Sequence, residues 1–128
     1  MISYTVICFI LLSHWVADFI CQTDYMARNK SKSNKPLFLH VCVYTLGLVP
    51  FAFYFLPTYT TALAFLLMNL FLHMGIDYCT SRVTSKLSEQ GKYGSDTIPN
   101  FGMFTVIGFD QMLHYICLFG TYLYLVGL

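Results

Sequence analysis

A chain of 128 residues that is 57% hydrophobic and only 10% charged has too few polar groups to cover a water-facing surface, since an ordinary soluble domain carries about 25% charge. The mean hydropathy of +0.63 points instead to an integral membrane protein. A net charge of +1 gives a nucleic-acid partner no electrostatic footing, and the length suits one domain covering residues 1–128.

The first apolar run, 1–22, is long enough to cross roughly 30 Å of hydrocarbon at 1.5 Å per residue. It has no basic leader and no small-residue cleavage site, and it contains His14 and Asp18. These features predict a membrane span rather than a removable signal peptide. Residues 23–35 carry Asp24, Arg28, Lys30, Lys32 and Lys35 and read as an aqueous connection. Pro36 suits the first turn of a helix and opens the second span, 36–56, where Pro50 predicts a kink.

Leu56-Pro57-Thr58-Tyr59 is a short uncharged turn, which makes the second and third spans an antiparallel hairpin. The third span is 58–78. Residues 79–100 form the longest polar connection, with a short surface helix expected over Ser81–Gln90. The fourth span is 101–127. The predicted fold is therefore all-α: an integral membrane bundle of four transmembrane helices with up-down topology. All seven Lys and Arg fall in the first and third connections, so the positive-inside rule places both loops in the cytoplasm and both termini on the other side.

Five cysteines, Cys8, Cys21, Cys42, Cys79 and Cys117, show no C-x-x-C spacing. They read as buried reduced thiols; ligation of a metal by Cys21 or Cys79 is the lesser alternative.

The chemistry lies in polar residues placed inside the apolar runs. His73 and Asp77 are four residues apart, with Asn69 a turn earlier, and the same spacing recurs as His14/Asp18 and, reversed, as Asp110/His114. On a helix that spacing puts both groups on one face. His40 follows Pro36 by one turn. Given the topology, all seven groups fall at one depth, in the cytoplasmic half of the bilayer. His14-x-x-x-Asp18-Phe19 and His73-x-x-x-Asp77-Tyr78 also form a faint repeat, consistent with two parallel hairpins about an axis along the membrane normal.

Ionisable groups at such depth are costly, so the layer needs an offsetting interaction. A structural hydrogen-bond network holding the bundle in register is one reading. A proton or ion path is another, although it needs polar steps in the outer halves too. The leading reading is a metal site for one or two divalent transition ions, with Zn²⁺ preferred and Mn²⁺ or Fe²⁺ as alternatives. Its ligand candidates are His14, Asp18, His40, His73, Asp77 and His114, with Asp110 a further ligand or general base and Gln111 a substrate-binding or supporting group. Such a centre suits a metal-dependent hydrolase acting on a lipid-linked phosphate or ester that arrives from the bilayer. Gln22 sits beside the layer. Arg28 and Lys30 are candidates for holding a phosphate, but exposed charges that set topology are the commoner role. Trp15 and the tyrosines read as packing or interfacial anchors.

His14-Trp-Val-Ala-Asp18-Phe19-Ile-Cys-Gln22, the lone His40, His73-x-x-x-Asp77 and Phe109-Asp110-Gln111-Met-Leu-His114 together resemble the family of small bacterial and phage membrane proteins called domain of unknown function 3307. The resemblance covers nearly the whole chain. It implies a compact multi-pass protein of the bacterial inner membrane, with membrane lipid as its surroundings, and brings no activity with it. Residence in a homo-oligomer is compatible with so small a bundle.

Overall fold

The computed structural model describes residues 2–94 and 100–127, so the stretch 95–99 of the third connection, including Asp96, lies outside the described residues. Every regular element among the described residues is helical. In chain order they are α1 (Tyr4–Trp15), a π-helical turn that continues it (Val16–Ile20), α2 (Asp24–Asn29), α3 (Asn34–Phe55), α4 (Tyr59–Glu89) and α5 (Met103–Leu125).

Local chemistry sets the starts. Ser3 caps α1 by accepting from the Val6 amide, and Thr23 caps α2 by accepting from Met26. Thr58 and Thr61 form a reciprocal capping box at α4, which satisfies two of the amides a helix start leaves free. Pro36 lies in the first turn of α3, and that helix continues through Gly47 and Pro50 to Phe55. The turn Leu56–Thr58 then reverses the chain into α4, as the sequence predicts.

Helices α3, α4 and α5 are long and apolar enough to cross a membrane. The first apolar helix, Tyr4–Ile20, spans about 25 Å and falls short of the expected 1–22 at both ends. Two further boundaries differ. No separate surface helix covers Ser81–Gln90; α4 runs on without a break to Glu89. Loss of hydropathy after Tyr78 does not remove helix propensity, and Ser, Arg, Lys and Glu extend the same helix. The first connection, read from the sequence only as aqueous, contains the short helix α2, whose Met26 is buried.

Helix α4 packs between α3 and α5, while α1 and the π turn lie against α3. The apolar core fills the half of the bundle away from the basic connections: Ile10, Leu48, Phe51, Phe65, Leu118 and Tyr122 are buried there, with the Phe51 ring 5.6 Å from Phe65 and 6.0 Å from Tyr122. The outward faces are apolar as well, including Leu46, Leu67, Phe71, Phe104 and Ile116, a surface that suits lipid rather than water. The cysteines are free, but none is buried: Cys8, Cys21 and Cys79 are exposed and Cys42 and Cys117 half-buried. They lie on those outward faces, because residues inside an apolar run still divide between inward and outward sides of the helix.

Gly47 on α3 packs closely against Ala17 in the π turn. A Cβ built on Gly47 would lie 2.6 Å from the Ala17 Cβ. Only a glycine allows this contact, and the contact fixes where the next residue, Asp18, stands.

Candidate metal centre

At the basic end of the bundle the core gives way to a buried polar layer. His14, His40, His73 and His114 are each 2% exposed or less, and Asp18 and Asp77 are 4% and 2% exposed. Every helix but α2 supplies members: His14 from α1, Asp18 from the π turn, His40 from α3, His73 and Asp77 from α4, and Asp110, Gln111 and His114 from α5. The predicted residues thus converge on one layer. Asn69 does not join it; its amide donates to Phe65 O and Thr121 Oγ1, a turn deeper in the bundle.

The pairing within the layer is not the one the spacing suggests. The i,i+4 partners are not the shortest contacts: 3.8 Å for His14/Asp18, 3.7 Å for His73/Asp77 and 3.5 Å for His114/Asp110. The shortest ones, at 3.1–3.2 Å, cross between helices. His40 Nε2 lies 3.1 Å from Asp18 Oδ1, 3.2 Å from Asp77 Oδ2 and 3.1 Å from His73 Nε2. His73 Nε2 is 3.6 Å from the same Asp18 oxygen and 3.7 Å from the same Asp77 oxygen. One ligand atom from each of these four residues falls within a 4.8 Å sphere of mutual separations. A tetrahedral ion with N and O ligands at about 2.0–2.1 Å separates its donors by about 3.3–3.4 Å, and the five separations bracket that value.

Angles make the same point. Asp18 Oδ1 is buried and close to two imidazoles, yet makes no hydrogen bond. Its contacts with the His40 and His73 nitrogens, at 3.1 and 3.6 Å, are close without being aligned as hydrogen bonds. Two further groups of three overlap this one: His14, Asp18 and His114, and Asp77, Asp110 and His114. The carboxylates join them, because the second oxygen of Asp77 faces His114 Nε2 at 3.6 Å. Both ring nitrogens of His114 are buried without a hydrogen-bond partner among the described residues. No cysteine belongs to any of these groups, so the alternative of Cys21 or Cys79 as ligands has no geometric support.

Beside the centre runs a chain of aligned hydrogen bonds. Gln111 Nε2 donates to Asp18 Oδ2 at 3.1 Å and to Asp110 Oδ2 at 3.0 Å. Its Oε1 must then accept from His14 Nε2, 2.8 Å away. That leaves His14 Nδ1 as the acceptor for the Tyr44 hydroxyl at 3.1 Å. One assignment satisfies every atom, so Gln111 sets the His14 tautomer. At the other end Thr80 Oγ1 donates to Asp110 Oδ1 at 2.5 Å.

Sequence reasoning missed three members. Tyr44 is 1% exposed and its ring stacks on His73 with centroids 3.7 Å apart, while His73 in turn stacks on His114 at 4.2 Å. Its position four residues after His40 was the available signal. Thr80 follows Asp77 on the same helix face. Lys30, expected as a surface charge, turns inward: its Nζ lies 2.7 Å from Asp77 Oδ2 and 3.3 Å from His40 Nε2.

Over the layer lies a cavity of about 520 Å³ opening toward the basic connections. Asp18, Asp77, Asp110 and Gln111 form its floor, and Gln22, Arg28, Lys30 and Lys32 stand around it. No curated protein and no solved structure matches this chain. The family model described as protein of unknown function (DUF3307) matches residues 6–127, and the chain belongs to that family.

Proposed function

We propose that the protein crosses the bacterial inner membrane four times, with both termini outside, and holds a divalent transition metal near the cytoplasmic leaflet as a metal-dependent hydrolase. The observation that supports this best is the convergence of Asp18 Oδ1, His40 Nε2, His73 Nε2 and Asp77 Oδ2 at near-tetrahedral separations, with Asp18 Oδ1 buried and without a hydrogen bond. Two imidazoles with two carboxylates suit Zn²⁺, and Mn²⁺ or Fe²⁺ next. His114, with Asp77 and Asp110, is the place for a second ion.

When bound, such an ion acts as a Lewis acid and lowers the pKa of water toward about 7. The chain's own residues would do the rest. Asp110, 14% exposed and lining the cavity, is positioned as the general base, its carboxylate held by Thr80 and Gln111. His14 has both ring nitrogens engaged by Tyr44 and Gln111, which suits a positioning role rather than direct ligation. The apolar outer faces and the cavity beside the layer suit a lipid-linked or otherwise amphiphilic substrate.

The competing reading makes the layer structural glue in a non-enzymatic membrane protein. The Lys30 ammonium at Asp77 favours it, since that contact offsets a buried carboxylate with no metal present. Elemental analysis of protein purified without chelator separates the two. A stoichiometric transition metal is expected; background levels after metal-replete growth would overturn the hydrolase.

A further inference from the structure

Lys30 holds a place that a metal ion would contest. Its ammonium sits on Asp77 Oδ2, the oxygen that also faces His40 and His73. A cation bound among those atoms would take the oxygen and repel the ammonium. The lysine stem is flexible, and the 520 Å³ cavity is beside it.

The charge around that cavity changes sign with the ion. Arg28, Lys30 and Lys32 supply three positive charges, against four negative charges from Asp18, Asp77, Asp110 and Glu89. The sum is −1 without a metal and +1 with one divalent ion. An anion is therefore unwelcome in the first state and attracted in the second.

The walls add donors. Helix α4 lines the cavity with Thr80, Ser81, Thr84, Ser85 and Ser88, a hydroxyl face at helical spacing. Ser81 Oγ and Gln22 Oε1 are buried without a hydrogen-bond partner among the described residues. Buried polar groups left in this way cost free energy until something bonds to them. A hydroxyl, an amide that presents its NH₂ after a flip, a guanidinium and two ammonium groups offer more donors than a planar carboxylate can use and suit the several oxygens of a phosphoryl group.

We infer that this cavity binds the phosphoryl group of an anionic ester through Arg28, Lys30 and Lys32 once a metal ion occupies the His/Asp centre. The inference rests on the proposed metal centre and names the substrate class for it. The shared chemistry is a phosphate monoester or diester; a lipid headgroup and a soluble phosphate are its two sources.

The test is calorimetric titration of the full chain in detergent micelles, either chelated or loaded with Zn²⁺ and freed of excess ion. The probes are inorganic phosphate, dihexanoyl phosphatidic acid and acetate. Loaded protein is expected to bind the phosphates and not acetate, and chelated protein to bind them at least about tenfold more weakly. The double variant Arg28→Ser/Lys32→Ser is expected to keep its zinc content and lose about tenfold or more in phosphate affinity, from the loss of charge-assisted bonds. Lys30→Met is expected to retain zinc and bind phosphate more weakly. Much tighter binding of phosphatidic acid than of phosphate assigns the lipid source; equal binding assigns the soluble one. Zinc-loaded protein that takes up neither phosphate, binds acetate equally well, or is unaffected by the double substitution overturns the inference while leaving the metal centre standing. A chain that holds no zinc fails at the earlier step, which the metal content reveals before any phosphate is added.

Discussion

His40 and His73 meet nitrogen to nitrogen, Nε2 to Nε2 at 3.1 Å, with a carboxylate oxygen from Asp18 and another from Asp77 beside them. Two neutral imidazoles can share one hydrogen bond, but that arrangement leaves Asp18 Oδ1 unsatisfied. A cation among them would engage all four atoms, taking Asp77 Oδ2 from the Lys30 ammonium that otherwise holds it. The His40 and His73 Nδ1 atoms have no partner among the described residues, so no bond within them fixes either ring's tautomer.

His40→Ala and His73→Ala are therefore expected to bring bound metal to background. A ligand at a hundredfold excess over its Kd stabilises the native state by about 2.7 kcal/mol. Chelation should accordingly lower the melting temperature of the wild-type protein in detergent and leave that of either variant unchanged. Thermal melts with and without chelator, beside metal analysis, check this. Equal sensitivity to chelator in all three proteins would count against these histidines as ligands.

Gln111 offers a test of the neighbouring network. Gln111→Ala strands His14 Nε2 and removes a donor from both Asp18 and Asp110. Each buried group left unsatisfied costs about 1–3 kcal/mol, so a loss in that range or above is expected in chelated protein. Gln111→Glu keeps the shape but faces two carboxylates with a third. It should be at least as damaging without metal, and added Zn²⁺ should restore more of its stability than it restores to the alanine variant. Parallel melts of the two variants across a zinc titration read out the difference.

Tyr44 separates stacking from hydrogen bonding. Tyr44→Phe retains the ring against His73 at 3.7 Å and removes the donor to His14 Nδ1. A cost of about 1 kcal/mol is expected, as for one ordinary hydrogen bond. Tyr44→Ala also opens a void in a fully buried position and should cost about 3–5 kcal/mol. Denaturation in mixed micelles measures both, and similar losses for the two variants would show that the hydroxyl, not the ring, carries the effect.

The layer's members were legible because a polar group in an apolar run stands out, and six of the seven come in three pairs at helical spacing. Their partners were not legible. Spacing reports neighbours on one helix, whereas the short contacts of His40 to Asp18 and Asp77 depend on how separate helices are set against each other. Lys30 was legible only as a candidate phosphate contact at the surface; its turn inward onto Asp77 depends on the path of the side chain, which a polar stretch does not reveal. Hydropathy located the stretch of α4 suited to hydrocarbon but not the end of the helix, which lies at Glu89. The π turn carries no periodic signature at all. Its Cys21 N–H bonds back to Val16 O at 2.9 Å, and this wider turn sets the direction in which Asp18 projects.

That turn supplies the last prediction, which links packing to the centre. Gly47→Ala would place a methyl 2.6 Å from the Ala17 Cβ and 3.1 Å from its Cα, and neither atom can move without moving the backbone of the π turn. Overpacking of this kind costs about 1–3 kcal/mol. Here the displacement passes straight to Asp18, one residue on, and then to Asp18 Oδ1 in the four-atom group. Reduced metal affinity is expected along with reduced stability, although Gly47 touches no ligand atom. Gly75→Ala is the control: it lies in α4 between His73 and Asp77, with nothing within 4 Å of the added methyl. It should hold or gain stability by about 0.5–1 kcal/mol, as alanine does over glycine in a helix, and keep its metal. If Gly47→Ala binds zinc as tightly as Gly75→Ala, the close approach of α3 to the π turn has no part in positioning Asp18.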